Sequence, residues 1–221
     1  MPWAKSCSSI RSLIAVQIGG MNQSRRDRIE EQDILQRLRE EVEQFVIRYP
    51  RFLQNVERKK EALDRVAQVF EGQVIENNFA FLQHVRNAGI WGGGVPLDRR
   101  ITFDEFVSTG KLGLIKNKNL RTQIMGYYDF VSTFQKQSDL RSSDYFEISF
   151  DLIPREGATA LKEGLSESKY AAIVSSVLDS DLHLEIVREQ NKAELIEDWW
   201  KRLAAQATAL LEEIDAELEG K

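Results

Sequence analysis

Side chains with versatile chemistry are scarce in this sequence. The chain contains one cysteine, Cys7, and two histidines, His84 and His183. One cysteine cannot form an internal disulfide. Together with two distant histidines it falls short of the ligand set of a zinc site or of a Ser-His-Asp hydrolase. The sequence therefore predicts no catalytic residue, no metal site and no cofactor, and we interpret both histidines as structural or surface residues.

A small group of basic and aromatic residues is the best candidate for contacts with a partner or a small anion. Lys116, Lys118 and Arg121 cluster where a helix is expected to begin, and free amides at a helix N-terminus attract anions. The alternative is that these cations are solvated loop residues, because the whole chain is acidic. The candidate contacts are Lys111, Lys116, Arg121, Tyr127 and Tyr128.

Two further patterns have simpler interpretations. Asp144, Glu147 and Asp151 share one helical face, but acids at this spacing are common on solvated surfaces. The three glycines at 92–94 are not followed by the Gly-Lys-Ser/Thr of a phosphate-binding loop. We therefore interpret the acids as a solvated face and the glycines as a loop.

Composition favours a helical globular protein that does not bind nucleic acid. The chain has 221 residues, of which 42% are hydrophobic and 29% charged, with only four prolines. This balance is typical of globular chains. The net charge of −5 argues against a general phosphate-binding surface.

The N-terminal segment suggests a membrane. Its apolar run, which ends at Ile18, is well short of the ~20 residues needed to span a bilayer, and it fits a signal peptide poorly. We consider three interpretations of residues 1–24: a truncated membrane anchor, an interfacial segment, or a frayed soluble N-terminus. The basic residues Arg25, Arg26 and Arg28 that follow suit an anionic lipid surface. The candidate membrane segment comprises Leu13, Ile14, Ala15, Val16 and Ile18.

Helical periodicity dominates the first third of the chain. Apolar residues recur at helical spacing from Ile34 to Tyr49, and a second set runs from Leu53 to Phe70. Pro50 separates them and is expected to end or kink the helix, which leaves a kinked long helix or a helical pair. The intervening charged residues are predicted to form an exposed side: Glu30, Glu31, Arg37, Arg39, Glu40 and Glu41.

The segment from 101 to 128 carries dense local signals. Thr102 and Glu105 have the spacing of a capping box, so a helix should begin at Thr102. Gly110 should end it. Lys111 to Ile115 alternates weakly, as in an extended connection, and Asn117 or Asn119 can cap the next helix.

The C-terminal part predicts two more helices. One runs from about Ser166 to Leu178, and the other fills 182–218, which contains neither glycine nor proline. Trp199 and Trp200 on this long helix are expected to pack on apolar groups, unless one is left for a partner. Together, these patterns predict a mostly α fold. We expect an irregular helical bundle with long N-terminal and C-terminal amphipathic helices and little or no β structure. The predicted organisation is the N-terminal segment 1–24 followed by a single helical domain, 25–221.

Two blocks of sequence resemble a known family. From Leu13 to Glu43, an apolar run with Gln17 is followed by Asn22 and basic residues, with Met21 where the family has tryptophan. The second block matches, with Phe106 in a leucine-like position, at Thr102, Phe103, Gly110, Leu112, Ile115, Asn117, Leu120, Arg121, Ile124, Tyr127 and Tyr128. The blocks resemble a bacterial, uncharacterised domain-of-unknown-function family of single-pass membrane-anchored proteins with a helical domain.

The resemblance implies a helical domain tethered to a bacterial inner membrane and brings no known activity. Met1 to Ser12 does not supply the upstream half of the family's membrane helix, so we expect either a start further upstream or the loss of a full span. We expect a non-enzymatic helical interaction protein, single-pass or peripheral, with the bilayer and a protein partner or second copy as its contacts. The alternatives are a soluble, cytoplasmic regulatory or protein-binding module and a small-anion or ligand-binding protein.

Overall fold

The regular secondary structure of the described residues consists of helices alone. A computed structural model describes residues 4–89, 100–140, 143–153, 161 and 164–220, with side chains from Asn22 onward except at 139 and 140. The predicted glycine loop lies outside the described residues. The helices are α1 (Ala4–Phe70), α2 (Asn78–Ala88), α3 (Ile101–Ser108), a 3-10 helix (Lys111–Leu114), α4 (Lys118–Leu140), α5 (Tyr145–Leu152), α6 (Glu167–Leu178) and α7 (Leu182–Glu219). The prediction of a mostly α fold with long terminal helices is confirmed.

The chain divides into two compact units. Unit 1 consists of Met1–Gln44, Asp98–Tyr128 and Ala207–Lys221, and unit 2 consists of Phe45–Leu97 and Asp129–Gln206. Helices α1, α4 and α7 each contribute to both units. The expectation of a single helical domain over 25–221 stays a prediction.

Pro50 lies inside α1, which continues to Phe70. The alternative of two helices separated at Pro50 is therefore wrong. Proline removes one helical hydrogen bond and costs about 3 kcal/mol. Side chains on both sides of it are fully buried, among them Leu38 and Leu63, and burial of each leucine contributes about 1.5–3 kcal/mol. The apolar stripe thus outweighs the missing hydrogen bond.

The core of unit 2 is built from α2, α5 and α6 against parts of α1 and α7. Trp200 is fully buried, and its ring stacks on Phe45 at 5.6 Å and on Phe52 at 4.7 Å between centroids. Trp199 is half-buried and stacks on Phe130 at 5.0 Å. Both tryptophans pack on aromatic rings, as predicted.

In unit 1, the connection between α3 and α4 is a helical turn. Gly110 follows α3 with φ 72°, in the left-handed region that glycine adopts without strain, so the predicted glycine stop is confirmed. The next residues, Lys111–Leu114, form a 3-10 helix instead of the expected extended connection. Leu112 and Ile115 are buried, and the turn places both against the unit 1 core.

Candidate functional site

A carboxylate on α1 binds the start of α3. The backbone N–H of Thr102 donates to Glu41 Oε2 at 2.8 Å, and the Tyr128 hydroxyl donates to Glu41 Oε1 at 2.5 Å. Glu105 instead binds Arg37, with Nη2 to Oε2 at 2.5 Å, and this pairing lowers the pKa of the Glu105 carboxyl. The predicted capping box is therefore wrong, because a carboxylate from another helix satisfies the amide and an arginine occupies Glu105.

A second α1 carboxylate binds the backbone before α4. Glu31 is only 2% exposed, and its Oε1 accepts from the backbone N–H of Lys116 at 2.6 Å. The prediction of an exposed charged side is wrong for Glu31. Of the other residues on that side, only Glu40 is exposed, and the rest are half-buried: Glu30, Arg37, Arg39 and Glu41. Spacing could have revealed Glu31, because it lies three residues before buried Ile34 and therefore on the same face.

The candidate cations have structural partners or face solvent. Lys111 pairs with Glu30 at 2.9 Å, and this hydrogen bond raises the pKa of its ammonium. Arg121 Nη1 donates to the Ile115 carbonyl at 3.3 Å. The Lys116 side chain is exposed. Lys111 and Arg121 are therefore already bonded within unit 1.

The N-terminus of α4 is capped by Asn117. Its Oδ1 accepts from the backbone N–H groups of Asn119 at 3.1 Å and Leu120 at 3.2 Å, as one of the two predicted caps requires. These are amides that an anion at this helix end would need. The Asn117 side chain therefore occupies amides on which the interpretation as an anion site depends.

Tyr127 and Tyr128 lie in the core of unit 1. They are 6% and 2% exposed, and the Tyr128 ring stacks on Phe103 at 4.1 Å between centroids. Burial, followed by the negative charge of Glu41, raises the pKa of both phenols. The two side chains named as candidate contacts are therefore buried and offer little surface to a partner or an anion.

A cleft of mixed charge opens beside Glu31. It has a volume of about 310 Å³ and is lined by Ser24, Asp27, Arg28, Glu31 and Lys116. The carboxylate of Glu31 is buried, Asp27 is half-buried, and the two cationic residues are exposed. This arrangement places two negative and two positive side chains around one opening, and it is the candidate binding site of unit 1.

A basic patch precedes the packed part of α1. Arg25, Arg26 and Arg28 are exposed, and none of them forms an ion pair within the described part of the chain. Ile29, beside them, is 59% exposed. The guanidinium groups are thus available to anions from solution.

The structure describes only the backbone of the predicted membrane segment. Leu13, Ile14, Ala15, Val16 and Ile18 lie within α1, but their side chains are outside the described residues. Among the residues that are described, no helix has a stretch apolar enough and long enough to cross a bilayer.

Unit 2 contains a buried ion pair that the sequence analysis missed. Lys59 binds Glu189 Oε1, and the two side chains are 5% and 6% exposed. Desolvation lowers the pKa of the Lys59 ammonium. Tyr145 is fully buried and donates to the Val85 carbonyl at 3.3 Å. Lys59 lies three residues after Val56 on the apolar stripe of α1, and this spacing is the signal that could have identified it.

Neither histidine contributes to a group of metal-binding side chains in the described part of the chain. His84 is half-buried, and exposed His183 has Nδ1 3.1 Å from the Ser180 carbonyl oxygen. Within the described residues, no three His, Cys, Asp or Glu side chains are grouped closely enough to hold a metal ion. Comparisons of the chain with protein-family models, curated proteins and solved structures gave no match. The family resemblance and the function it implies remain predictions.

Proposed function

We propose that this chain is a non-enzymatic helical interaction protein that associates with an anionic membrane surface through the N-terminal part of α1. The basic patch carries this proposal. Arg25, Arg26 and Ile29 fall on the side of α1 opposite its buried stripe. Cationic and apolar side chains on one exposed helix face are the combination that binds lipid interfaces.

The continuity of α1 adds support. The helix begins at Ala4, so the backbone of the apolar run Leu13–Ile18 belongs to the same helix as the arginines. The family resemblance places a membrane helix at the same position. A bacterial inner membrane, with anionic lipids, is the surface that we propose.

The charge contribution can be tested without removing the apolar segment. Each arginine near an anionic surface contributes about 1 kcal/mol, so Arg25→Gln with Arg26→Gln should weaken binding by about 30-fold. The measurement is co-sedimentation of the full chain with vesicles of phosphatidylcholine containing phosphatidylglycerol. The matched control is Arg48→Gln with Arg51→Gln, which removes the same charge from exposed positions further along α1.

Two results would contradict the proposal. Equal vesicle binding by both double variants would mean that the basic patch is not the contact. Absence of binding by the unchanged chain, at low salt and high phosphatidylglycerol content, would exclude membrane association through this helix.

A soluble protein-binding module is the second candidate function. Leu184 and Val187 are 59% and 62% exposed and lie three residues apart on α7, on one face of the helix. Such exposed apolar groups are found where a helix meets a partner or a second copy. Analytical ultracentrifugation tests this candidate. It would be favoured if the chain does not bind vesicles but self-associates as its concentration rises, and if Leu184→Gln with Val187→Gln abolishes that self-association.

A further inference from the structure

We infer that a cleft between α1 and α2 binds a free amino acid with an aliphatic side chain. The cleft has a volume of about 190 Å³ and is formed by the end of α1, the connection that follows it and the first half of α2. All of its lining residues belong to unit 2. The inference therefore does not depend on the membrane association proposed for the N-terminal part of α1.

The apolar lining of this cleft sets the size and character of the ligand. It includes Phe81, which is 4% exposed, and the half-buried Val69 and Ile75. An apolar cavity of about 150 Å³ accommodates benzene, so a volume of about 190 Å³ is sufficient for an aliphatic side chain. The volume is below the ~300–1,000 Å³ of drug-sized ligand sites, which restricts the ligand to a small molecule.

Two opposite charges on the rim of the cleft lack partners. Arg65 on α1 and Glu76 in the connection are both exposed. Neither side chain forms an ion pair or a hydrogen bond with any residue that the structure describes, and the two do not pair with each other. A simple anion would meet the carboxylate of Glu76, and a simple cation would meet the guanidinium of Arg65.

An amino acid zwitterion matches both charges. Its carboxylate pairs with Arg65, because a guanidinium binds carboxylates through two parallel hydrogen bonds, and its ammonium pairs with Glu76. His84, which is half-buried, also lines the cleft and forms no hydrogen bond within the described ranges. Its ring N–H is available to donate to the same ligand carboxylate.

The connection that carries Glu76 is fixed at both ends. Gly72 follows α1 with φ 107°, the left-handed conformation of a C-terminal glycine cap, and its N–H donates to the Val69 carbonyl at 3.0 Å. At the start of α2, Asn77 Oδ1 accepts from the N–H of Ala80 at 2.9 Å. The rim is therefore preorganised, which reduces the free-energy cost of ordering it when a ligand binds.

A chemical-shift titration of the full, isotope-labelled chain with L-leucine tests the inference, because it detects weak binding and locates it. We expect saturable shifts in the amides of the connection 71–77 and in the His84 ring. The chain contains two histidines. The ring of His183, which does not line the cleft, serves as the internal reference.

Substitutions on the rim test the two charged contacts. Arg65→Gln and Glu76→Gln should each weaken L-leucine binding about tenfold, since each removes one charged partner of the ligand. Both side chains are exposed, so both variants should fold. Arg58→Gln and Glu71→Gln remove the same charges from exposed positions of unit 2 outside the cleft and should bind like the unchanged chain.

Filling the cleft provides an independent test of its location. Ala80 is exposed and lines the cleft, so Ala80→Leu should fold and occupy the space that the ligand needs. This variant should lose L-leucine binding. Ala171→Leu makes the same change at an exposed position of α6 outside the cleft and should leave binding unchanged. Undiminished binding by Ala80→Leu would overturn the inference.

Compounds that lack one part of leucine complete the test. Isocaproate lacks the ammonium, isoamylamine lacks the carboxylate, and glycine lacks the aliphatic side chain. The inference requires each to bind at least tenfold more weakly than L-leucine. Equal binding of any one of them would mean that the missing group makes no contact, and would overturn the inference. So would the absence of saturable shifts with L-leucine, or equal losses in the charge controls.

Discussion

Replacement of Tyr128 by phenylalanine tests the idea that Glu41 fastens α3 and α4 to α1. The substitution leaves the ring that stacks on Phe103 and removes the hydroxyl that donates to Glu41 at 2.5 Å. Hydrogen bonds to charged groups contribute about 1.5–3 kcal/mol. Because Glu41 is only half-buried and water can replace part of the bond, we expect a loss of about 1.5–2 kcal/mol.

Native-state hydrogen exchange is the suitable assay, because it measures the opening of unit 1 separately from that of unit 2. The expected loss corresponds to exchange about 10–30 times faster for amides of α3 and the start of α4, including Thr102. Tyr127→Phe is the matched control, since Tyr127 is also buried but its hydroxyl forms no hydrogen bond to another described residue. This control should change stability by less than about 0.5 kcal/mol.

A double-mutant cycle with Glu41→Gln isolates the bond itself. The cycle should give a coupling energy of about 1 kcal/mol or more between Tyr128 and Glu41. If Tyr128→Phe and Tyr127→Phe accelerate exchange equally, or if the coupling is zero, the carboxylate does not fasten these helices and the reasoning is refuted.

Three further results are expected. Lys59→Met should lower the free energy of unfolding, measured in urea, by about 3–5 kcal/mol because it leaves Glu189 buried and unpaired. Adding Glu189→Leu to Lys59→Met should recover most of that loss. Equal losses in the single and double variants would contradict this. The free energy of unfolding should fall as pH rises above about 10, because the phenol of Tyr128 then ionises in the unfolded chain while its raised pKa keeps it protonated in the folded chain. Tyr128→Phe should reduce the slope of this free energy against pH by about 1.4 kcal/mol per pH unit. Urea unfolding at pH 9–11 measures this slope. Asn117→Ala should destabilise unit 1 by about 1 kcal/mol, measured by exchange of α4 amides, and Asn119→Ala should not.

Local sequence signals predicted the elements that depend on local interactions. The Asn117 cap is confirmed because its side chain binds amides two and three residues away. The Gly110 stop is confirmed because a left-handed φ favours glycine whatever lies around it. The long helices follow from apolar periodicity, which is also local.

The capping-box prediction was wrong because a residue distant in the sequence binds the backbone amide of Thr102. Thr102 and Glu105 have the right spacing, but the carboxylate that satisfies the α3 amide comes from Glu41, 61 residues earlier in the chain. A single sequence carries no signal for that pairing. Tertiary packing also explains why the helix continues through Pro50. The free-energy cost of the proline is smaller than the free energy gained by apolar burial on both sides of it.

Buried charges form an intermediate case. Glu31, Lys59 and Glu189 each occupy a position on an apolar stripe, so their burial could be read from spacing. Their partners could not be predicted from spacing. The Lys59–Glu189 ion pair and the hydrogen bond from the Lys116 N–H to Glu31 both depend on how residues distant in the sequence come together. A charged residue in register with a buried stripe is therefore a prediction of burial and of an unidentified partner.

The interleaving of the two units has a consequence during synthesis. Unit 1 needs residues 207–221, whereas both segments of unit 2 lie between the first and last segments of unit 1. On a ribosome adding about 5–20 residues per second, the basic patch leaves the exit tunnel several seconds or more before unit 1 can close around α1. The lipid contact that we propose for the N-terminal part of α1 can therefore form before residues 207–221 have been made.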